Sequence, residues 1–328
     1  MEMNMNAIAL ARQAKRQNES RLMRMNNVVA VGIGYKTTGG VQTGEVSVVV
    51  SVVRKLPLVQ LPEKSRVPQA ITGVPTDVVE TGLIFAQQDP TEKMRPARPG
   101  ISIGHHQITA GTFGCLVQRD GQRYILSNNH VLANSNDAQT GDAILQPGPH
   151  DGGSLADQIG TLEQFIPISF GVSLGCGCSP FALLMRLLGI AKPGVNEPGN
   201  NTVDCAIARP LSDDLVDPDI LNIGIPAGVG SATLGTPVQK MGRTTGHTTD
   251  QINQIDVTVS VNYGGIRIAV FTNQLVAGPM SQGGDSGSAV LDMDRNVVGL
   301  LFAGSTSTTI LNPIQSVLDA LQVQIVTA

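Results

Sequence analysis

The sequence predicts a mainly β fold that is preceded by a small α+β unit. Its 328 residues include 37 Gly and 19 Pro, a share of turn-forming residues above average usage. From Gly111 onward, short runs rich in β-branched residues alternate with turns that contain Gly and Asn. Strands at such regular spacing are typical of a sandwich or a barrel. With 41% hydrophobic and only 15% charged residues, the composition indicates a packed core and not a disordered chain.

The α+β unit is expected to span residues 1–95. Residues 5–25 contain helix-forming side chains with almost no helix breakers, and they predict one exposed basic helix. Val28–Tyr35 and Glu45–Val53 are β-rich runs joined by a Gly-Gly turn, which predicts a hairpin, and Asp77–Val79 predicts a last short strand. Prolines then bracket a polar linker, so we place the domain boundary near residue 95.

The β domain is expected to span residues 96–328 and to end in one helix. Asn312 and Pro313 predict the helix cap and a first-turn proline. An apolar stripe at i, i+3, i+4 and i+7 follows, formed by Ile314, Val317, Leu318 and Leu321.

An insertion over residues 171–200 interrupts the strand pattern. It contains Cys176 and Cys178 and an apolar run, Phe181–Ile190. Loops of about 30 residues are often functional, and we expect this one to act as a lid over a cleft. Because no second Cys/His pair stands at a suitable spacing, the two cysteines predict no zinc site, and no metal or other cofactor is expected.

Charge and cysteine content limit the partners and the compartment. The formal net charge is −4 and there is no run of basic residues, which argues against nucleic acid as a partner. No stretch approaches the about 20 apolar residues of a membrane span, so none is expected. Without an export signal the cysteines are expected to be thiols in a reducing cytoplasm. They are Cys115, Cys176, Cys178 and Cys205.

Three polar segments together could perform acyl transfer. Ser286 is flanked by glycines, which allow the amides of Gly284 and Ser286 to converge as an oxyanion hole. His130 follows a buried-type strand, and Asp204 precedes an apolar strand, where a buried acid needs a partner such as an imidazole N–H. A nucleophile, a base with a pKa near 7 and an orienting carboxylate are the groups that this chemistry requires.

Each of these residues also has a purely structural interpretation. Ser286 could lie in a Gly-rich turn, His130 alone could be a core histidine, and Asp204 could be a capped acid at a strand start. Other acids lie nearby, namely Asp213, Asp214, Asp217 and Asp219. The combination of the three segments favours catalysis, with His105, His106 and His247 as weaker candidates for the base.

The three segments resemble the triad motifs of the chymotrypsin/trypsin-like serine peptidases. The similar motifs are Gly-Asp-Ser-Gly-Ser around Ser286, Asn-Asn-His-Val at His130 and Val-Asp-Cys-Ala-Ile-Ala at Asp204, in the same chain order. The resemblance covers roughly residues 100–325. It implies two six-stranded antiparallel β-barrels and a C-terminal helix, with Ser286 as the nucleophile, His130 as the base and Asp204 as its orienting acid.

Other segments resemble the narrow-leaf-type trypsin-like peptidases of plants and bacteria. They are Val28–Lys36, Gly73–Glu80 and Ile101–His105. This resemblance implies that the N-terminal unit belongs to the architecture and that the protein forms a homo-oligomer.

Two departures from the family pattern limit what the resemblance implies. Val131 stands where the family has a cysteine, so no disulfide is expected beside His130. Before the barrel the chain reads Arg98-Pro-Gly-Ile101, and its proline blocks ordinary cleavage. Activation by a new N-terminal amine that pairs with Asp285 is therefore not expected.

The resemblance also implies the substrate pocket. The residue six before the serine floors the family's specificity pocket, and here it is Met280, which predicts a small or apolar residue before the scissile bond. Phe302, Ala303 and Gly304 resemble the segment that pairs with the substrate backbone. We expect a serine endopeptidase that acts on a protein or peptide substrate. The alternative is a latent or non-catalytic protease-fold protein that binds, or is activated by, a partner.

Overall fold

The structure is a computed structural model that describes residues 2–82, 84, 89–172, 200–265 and 267–327. The chain divides into two compact units, Met1–Gln87 and Gln88–Ala328. Residue 95, where the sequence analysis places the boundary, lies in the second unit. Most of the predicted insertion, including Cys176, Cys178 and the proposed lid Phe181–Ile190, lies outside the described residues.

The first unit is one helix packed on a four-stranded sheet. Its elements are α1 (Glu2–Met23), β1 (Val28–Thr38), β2 (Val41–Val52), β3 (Ala70–Ile71) and β4 (Val74–Glu80). The strand order is β1-β2-β4-β3, with β1 and β2 antiparallel and β2 and β4 parallel. Ala14 and Leu22 of α1 are buried in the same cluster as Val48 and Val50 of β2, because this face of the sheet is apolar.

In the described part of the second unit there are two curled sheets and two further α-helices. The strands are β5 (Ser102–His105), β6 (Gly111–Thr112), β7 (Cys115–Arg119), β8 (Gln122–Ser127), β9 (Ala143–Leu145), β10 (Gln158–Phe165), β11 (Gly171–Val172), β12 (Asn200–Asn201), β13 (Ala206–Pro210), β14 (Gly228–Val229), β15 (Pro237–Gly242), β16 (Gly246–Asn262), β17 (Arg267–Ala277), β18 (Ala289–Asp292), β19 (Asn296–Gly304), β20 (Thr309–Pro313) and β21 (Gln324–Ile325). The helices are α2 (Asn129–Leu132) and α3 (Ile314–Leu321).

The second sheet contains a closed six-stranded antiparallel barrel. Its ring runs β15-β16-β17-β20-β19-β18 and returns to β15. The two-residue strands β11, β12 and β14 attach outside the ring and bring the sheet to nine strands. Alternating side chains from all around the ring point inward, and they include Val238, Ile252, Leu275, Val290 and Leu311.

The first sheet curls in the same way. Six antiparallel strands follow in the order β7-β8-β13-β10-β9-β5, and the short strands β21 and β6 extend the two ends to a total of eight. Phe113 N donates to Ile101 O (2.9 Å) and Gly100 N donates to Phe113 O (2.7 Å), so the pairing of β5 continues toward β7. The predicted fold class, mainly β with two six-stranded barrels, a C-terminal helix and a leading α+β unit, is confirmed.

The C-terminal helix forms as predicted, except for its cap. Ile314, Val317, Leu318 and Leu321 are all buried. The N-cap position is Pro313, and no side chain caps this end of the helix. Asn312 is not the cap because its side chain is fully buried and is used for other hydrogen bonds. Among the described residues, no helix has both the length and the apolar character needed to cross a membrane.

Candidate active site

Two neighbouring strands of the first barrel bring His130 and Asp204 together. β8 runs into the short helix α2, which carries His130, and Asp204 lies just before β13. Because Ser127 at the end of β8 pairs with Ala206 at the start of β13, the two side chains meet at one edge of the sheet. His130 Nδ1 lies 2.6 Å from Asp204 Oδ2, and the backbone N–H of His130 donates to Asp204 Oδ1 (3.3 Å).

The position of the carboxylate determines the tautomer of the imidazole. Nδ1 of His130 faces Asp204 and carries the proton, so Nε2 has a lone pair. The His130 side chain is 22% exposed, whereas that of Asp204 is completely buried. The imidazole therefore reaches solvent while one of its nitrogens is held by a buried carboxylate.

Further donors surround Asp204. The Tyr263 hydroxyl donates to Asp204 Oδ2 (2.7 Å). Two further hydrogen bonds fix the main chain of Asp204: Asn128 Nδ2 donates to its carbonyl oxygen (2.8 Å), and its N–H donates to Asn312 Oδ1 (3.0 Å). A buried ionised carboxylate requires such donors. Burial, together with the charge of Asp204 and the hydrogen bond to it, raises the pKa of Tyr263 well above its usual value. The hydroxyl therefore remains a protonated donor.

Ser286 is partly exposed in a cleft of the second barrel. The cleft has a volume of about 450 Å³, and a second cleft of about 530 Å³ is lined by His130. Ala303 and Gly304 line both clefts, so the cleft of the serine and the cleft of the histidine adjoin at this segment. In the described part of the chain, neither the Ser286 hydroxyl nor His130 Nε2 has a hydrogen-bond partner. Such contacts are often loose in unliganded sites.

The loop around Ser286 requires glycine on both sides. Gly284 and Gly287 have φ values of +97° and +94°, a region that favours glycine. A Cβ on Gly287 would lie 2.0 Å from Ser127 Oγ, so any side chain would displace the loop. Among the described residues, no acceptor pairs with the N–H of Gly284 or Ser286, which leaves both amides available to an oxyanion.

Thr112 of the first barrel holds this loop at both of its ends. Its N–H donates to Ser286 O (2.7 Å) and its hydroxyl donates to Gly284 O (2.9 Å). The hydroxyl also accepts a bond from Arg243 N (3.1 Å). The loop that carries Ser286 is therefore fixed across the junction of the two barrels.

The carboxylate next to the nucleophile is paired with a buried lysine. Asp285 Oδ2 lies 3.4 Å from Lys240 Nζ, and both side chains are completely buried. Asp285 also accepts hydrogen bonds from Gln282 N (2.9 Å), Thr244 N (2.9 Å) and the Thr245 hydroxyl (2.6 Å). Burial lowers the pKa of Lys240, and the charge of Asp285 acts in the opposite direction. The lysine supplies from within the chain the cation that a buried acid requires.

The expected substrate-binding residues divide into two groups. Ala303 and Gly304 line both clefts, and Phe302 lines the cleft of His130 while its ring packs on Phe271 at 4.8 Å. Met280 does not line the Ser286 cleft. Its side chain is 2% exposed and packs into the core of the second barrel. The physical reason is that successive side chains along this extended segment point to opposite sides. Pro279 and Ser281 face the cleft, so the apolar side chain of Met280 between them faces the core.

Sequence reasoning missed three residues that support the site. Tyr263 lies in the turn of the β16–β17 hairpin, Lys240 lies on β15, and Asn312 lies at the end of β20. The only signal for Lys240 was a single lysine within the otherwise apolar end of a strand. Nothing in the sequence pattern indicated that Tyr263 and Asn312 would contact Asp204, since both contacts arise from barrel closure.

In the part of the chain that the structure describes, no group of three or more His, Cys, Asp or Glu side chains is arranged to hold a metal ion. His105 and Asp142 form a separate pair at 3.1 Å (Nε2 to Oδ2), and burial lowers the pKa of His105.

Two six-stranded antiparallel barrels, with a His–Asp pair on the first and a glycine-flanked serine on the second, match the trypsin-like double-barrel fold that the sequence analysis predicts. Solved structures similar to this chain carry protease names. Protease A of Thermobifida fusca is 20% identical with a TM-score of 0.47, and the match covers 70% of this chain and 98% of that one. Nocardiopsis protease is 18% identical with a TM-score of 0.47, over 70% and 98% of the two chains.

A Cellulomonas bogoriensis chymotrypsin is 17% identical with a TM-score of 0.45, over 70% of this chain and 98% of that one. No protein-family model matches the sequence, and no curated protein matches it significantly. At these identities the functional interpretation depends on the geometry of the site itself.

Proposed function

We propose that this protein is a serine endopeptidase that works through an acyl-enzyme intermediate. The observation that carries the proposal is the 2.6 Å contact between His130 Nδ1 and the buried Asp204, beside the cleft of Ser286. This contact selects the imidazole tautomer whose Nε2 can take a proton from the serine.

Each group has one role in the proposed reaction. Ser286 Oγ attacks the peptide carbonyl carbon while His130 Nε2 accepts its proton, and the amides of Gly284 and Ser286 bind the resulting oxyanion. The imidazolium then gives the proton to the leaving amine, which breaks the C–N bond and leaves an ester on Ser286. Water, deprotonated by His130, hydrolyses the ester. Asp204 stays ionised throughout and stabilises the imidazolium.

The lining of the Ser286 cleft supports a preference for a small or apolar residue before the scissile bond. The described lining residues are all uncharged: Pro279, Ser281, Gln282, Gly283, Ser286, Leu301, Ala303, Gly304, Ser305 and Thr306. A lysine or arginine side chain would lose its hydration there without gaining an ionic partner.

The Asp285–Lys240 pair supports activity without proteolytic processing. A carboxylate already neutralised from within the chain does not need a new N-terminal amine.

The proposal extends to a cytoplasmic homo-oligomer. Cys115 and Cys205 are free and buried, as expected of thiols in a reducing compartment, and the family resemblance implies assembly.

Hydrolysis of fluorogenic peptides tests the proposal. A panel that varies only the residue before the scissile bond should show turnover with Ala or Leu and little with Lys or Glu. We expect Ser286→Ala to lower kcat by at least about a thousandfold, whereas Ser212→Ala, the same change at an exposed serine outside the cleft, should retain turnover. Turnover that survives Ser286→Ala would contradict the proposal. Inactivity of the native protein would favour the latent or non-catalytic alternative.

A further inference from the structure

We propose that Tyr263 is a positioning residue of this site, whose hydroxyl holds the Asp204 carboxylate and thereby the His130 base in the reactive orientation. The inference rests on the proposed function and extends it by one residue. The Tyr263 hydroxyl donates to Asp204 Oδ2 at 2.7 Å, the same oxygen that accepts the His130 Nδ1 proton at 2.6 Å.

The distances around Asp204 show why this donor matters. Among the described residues, Oδ2 has two short contacts, from His130 and Tyr263, whereas Oδ1 has the 3.3 Å bond from the His130 N–H alone. Without the Tyr263 hydroxyl, the single short contact of the carboxylate among the described residues would be to the imidazole itself. A carboxylate held in that way can pivot together with the ring, and small misplacements of a catalytic group cost rate.

The Tyr263 ring is itself held in place. It packs edge-on against Phe170, with 5.3 Å between the ring centroids and an interplanar angle of 73°. It also lies edge-on to the His130 ring, at 5.8 Å and 72°. Phe271 contacts it from the barrel at 6.3 Å. These three rings restrict the side-chain torsions, so the hydroxyl is oriented before substrate arrives.

The hairpin turn that carries Tyr263 is anchored on its other side as well. Tyr263 N donates to Arg267 O (3.0 Å), which closes the turn. The Arg267 guanidinium pairs with Asp137 at 2.9 Å and lies over the Phe170 ring at 5.5 Å. The second barrel thus extends a fixed hairpin to the acid of the first barrel.

A neutral donor suits this position. A cation beside Asp204 would compete with the imidazolium for the negative charge, whereas a phenol orients the carboxylate and leaves its charge in place. The raised pKa of Tyr263, caused first by burial and then by the Asp204 charge, keeps the proton on the phenol through the neutral and mildly alkaline range.

The test compares Tyr263→Phe with Tyr124→Phe. The first change removes the hydroxyl and keeps the ring, and the second removes a hydroxyl from the buried Tyr124 of the first barrel's core. We expect Tyr263→Phe to lower kcat by about ten- to a hundredfold, the rate equivalent of a hydrogen bond to a charged group. KM and the thermal midpoint should stay near native, and Tyr124→Phe should keep the native kcat. An unchanged kcat in Tyr263→Phe, or an equal loss in both variants, would overturn the inference.

A second measurement uses the native protein and needs no variant of Tyr263. The Nδ1 proton of His130 should give a low-field NMR resonance, identified by its loss in His130→Ala. An NOE from this proton to the Tyr263 hydroxyl proton is expected because both point at one oxygen, and its absence would overturn the inference.

The proposed function and the positioning role of Tyr263 can fail separately. A native protein without turnover defeats the proposed function, whereas native turnover with a fully active Tyr263→Phe defeats the positioning role alone.

Discussion

Replacing Lys240 by methionine tests how the loop that carries Asp285 and Ser286 is supported. Methionine keeps the length and the apolar stem of the lysine but removes its charge. It also removes the bonds from Nζ to Gly246 O (3.0 Å) and to the Thr245 hydroxyl. Asp285, directly before the nucleophile, then remains completely buried without its cation.

The contacts of Asp285 set the size of the effect. Two unit charges 3.4 Å apart attract by about 5 kcal/mol at an effective dielectric constant of about 20. Loss of one partner of a buried ion pair typically costs about 3–5 kcal/mol. Because the backbone amides of Gln282 and Thr244 and the Thr245 hydroxyl also bond Asp285, we expect the lower end of this range, about 3 kcal/mol. The ratio of folded to unfolded protein would fall roughly a hundredfold.

Urea unfolding followed by circular dichroism measures this loss. Lys93→Met is the matched control, because it makes the same substitution in an ion pair whose lysine is 54% exposed, and it should stay near native stability. The double variant Lys240→Met/Asp285→Asn has no buried charge, so it should be more stable than the sum of the two single losses predicts. A Lys240→Met protein as stable as the control, or losses that simply add, would refute the supporting role of the pair.

Three further changes have expected outcomes. Asp204→Asn should lower kcat by about ten-thousandfold because an amide favours the wrong imidazole tautomer, and a loss below about tenfold in the peptide assay would contradict that role. Gly287→Ala should lower the free energy of unfolding by about 2 kcal/mol or more, since its φ is +94° and the new Cβ would meet Ser127 Oγ at 2.0 Å. Gly283→Ala, with no atom within 4 Å, is its control, and equal stabilities would disprove the steric reasoning. His105→Gln tests the pH dependence of stability. Burial lowers the pKa of His105 below 6.5 in the folded protein, so the unfolded chain binds the proton more readily. The free energy of unfolding therefore falls as the pH drops below about 6.5. The variant should flatten the change in urea midpoint between about pH 5 and about pH 7, and an unchanged slope would count against this linkage.

The residues of the proposed triad could be selected from the sequence because each lies in a local motif. The glycines that Ser286 needs lie within two residues of it on the chain, and His130 and Asp204 lie at the ends of adjacent strands, where short-range patterns carry the information. The strand pattern likewise predicted a sandwich or a barrel, since turn residues and alternation are local properties, and the family resemblance then favoured two barrels.

The supporting residues could not be predicted, because their roles depend on long-range register. Tyr263 reaches Asp204 only because β16 and β17 extend beyond the rest of the second barrel and place their turn over the first. Asn312 fits a local capping pattern, yet barrel closure buries its side chain, and the side-chain oxygen Oδ1 accepts a hydrogen bond from the Asp204 N–H instead. Met280 was assigned to the pocket by its position relative to the serine, whereas its apolar side chain turns into the core. In each case burial outweighed the local pattern.

Covalent labelling by a fluorophosphonate tests most directly whether Ser286 is an activated nucleophile. The purified full chain should gain the mass of one phosphonyl group, and peptide mapping should locate it on Ser286. Ser286→Ala and His130→Ala should remain unlabelled, because the proposed mechanism needs both the nucleophile and its base. Ser212→Ala, the same change at an exposed serine outside the cleft, should label like the native protein. A native chain that gains no label, or a label that persists in Ser286→Ala, would contradict the assignment of this site.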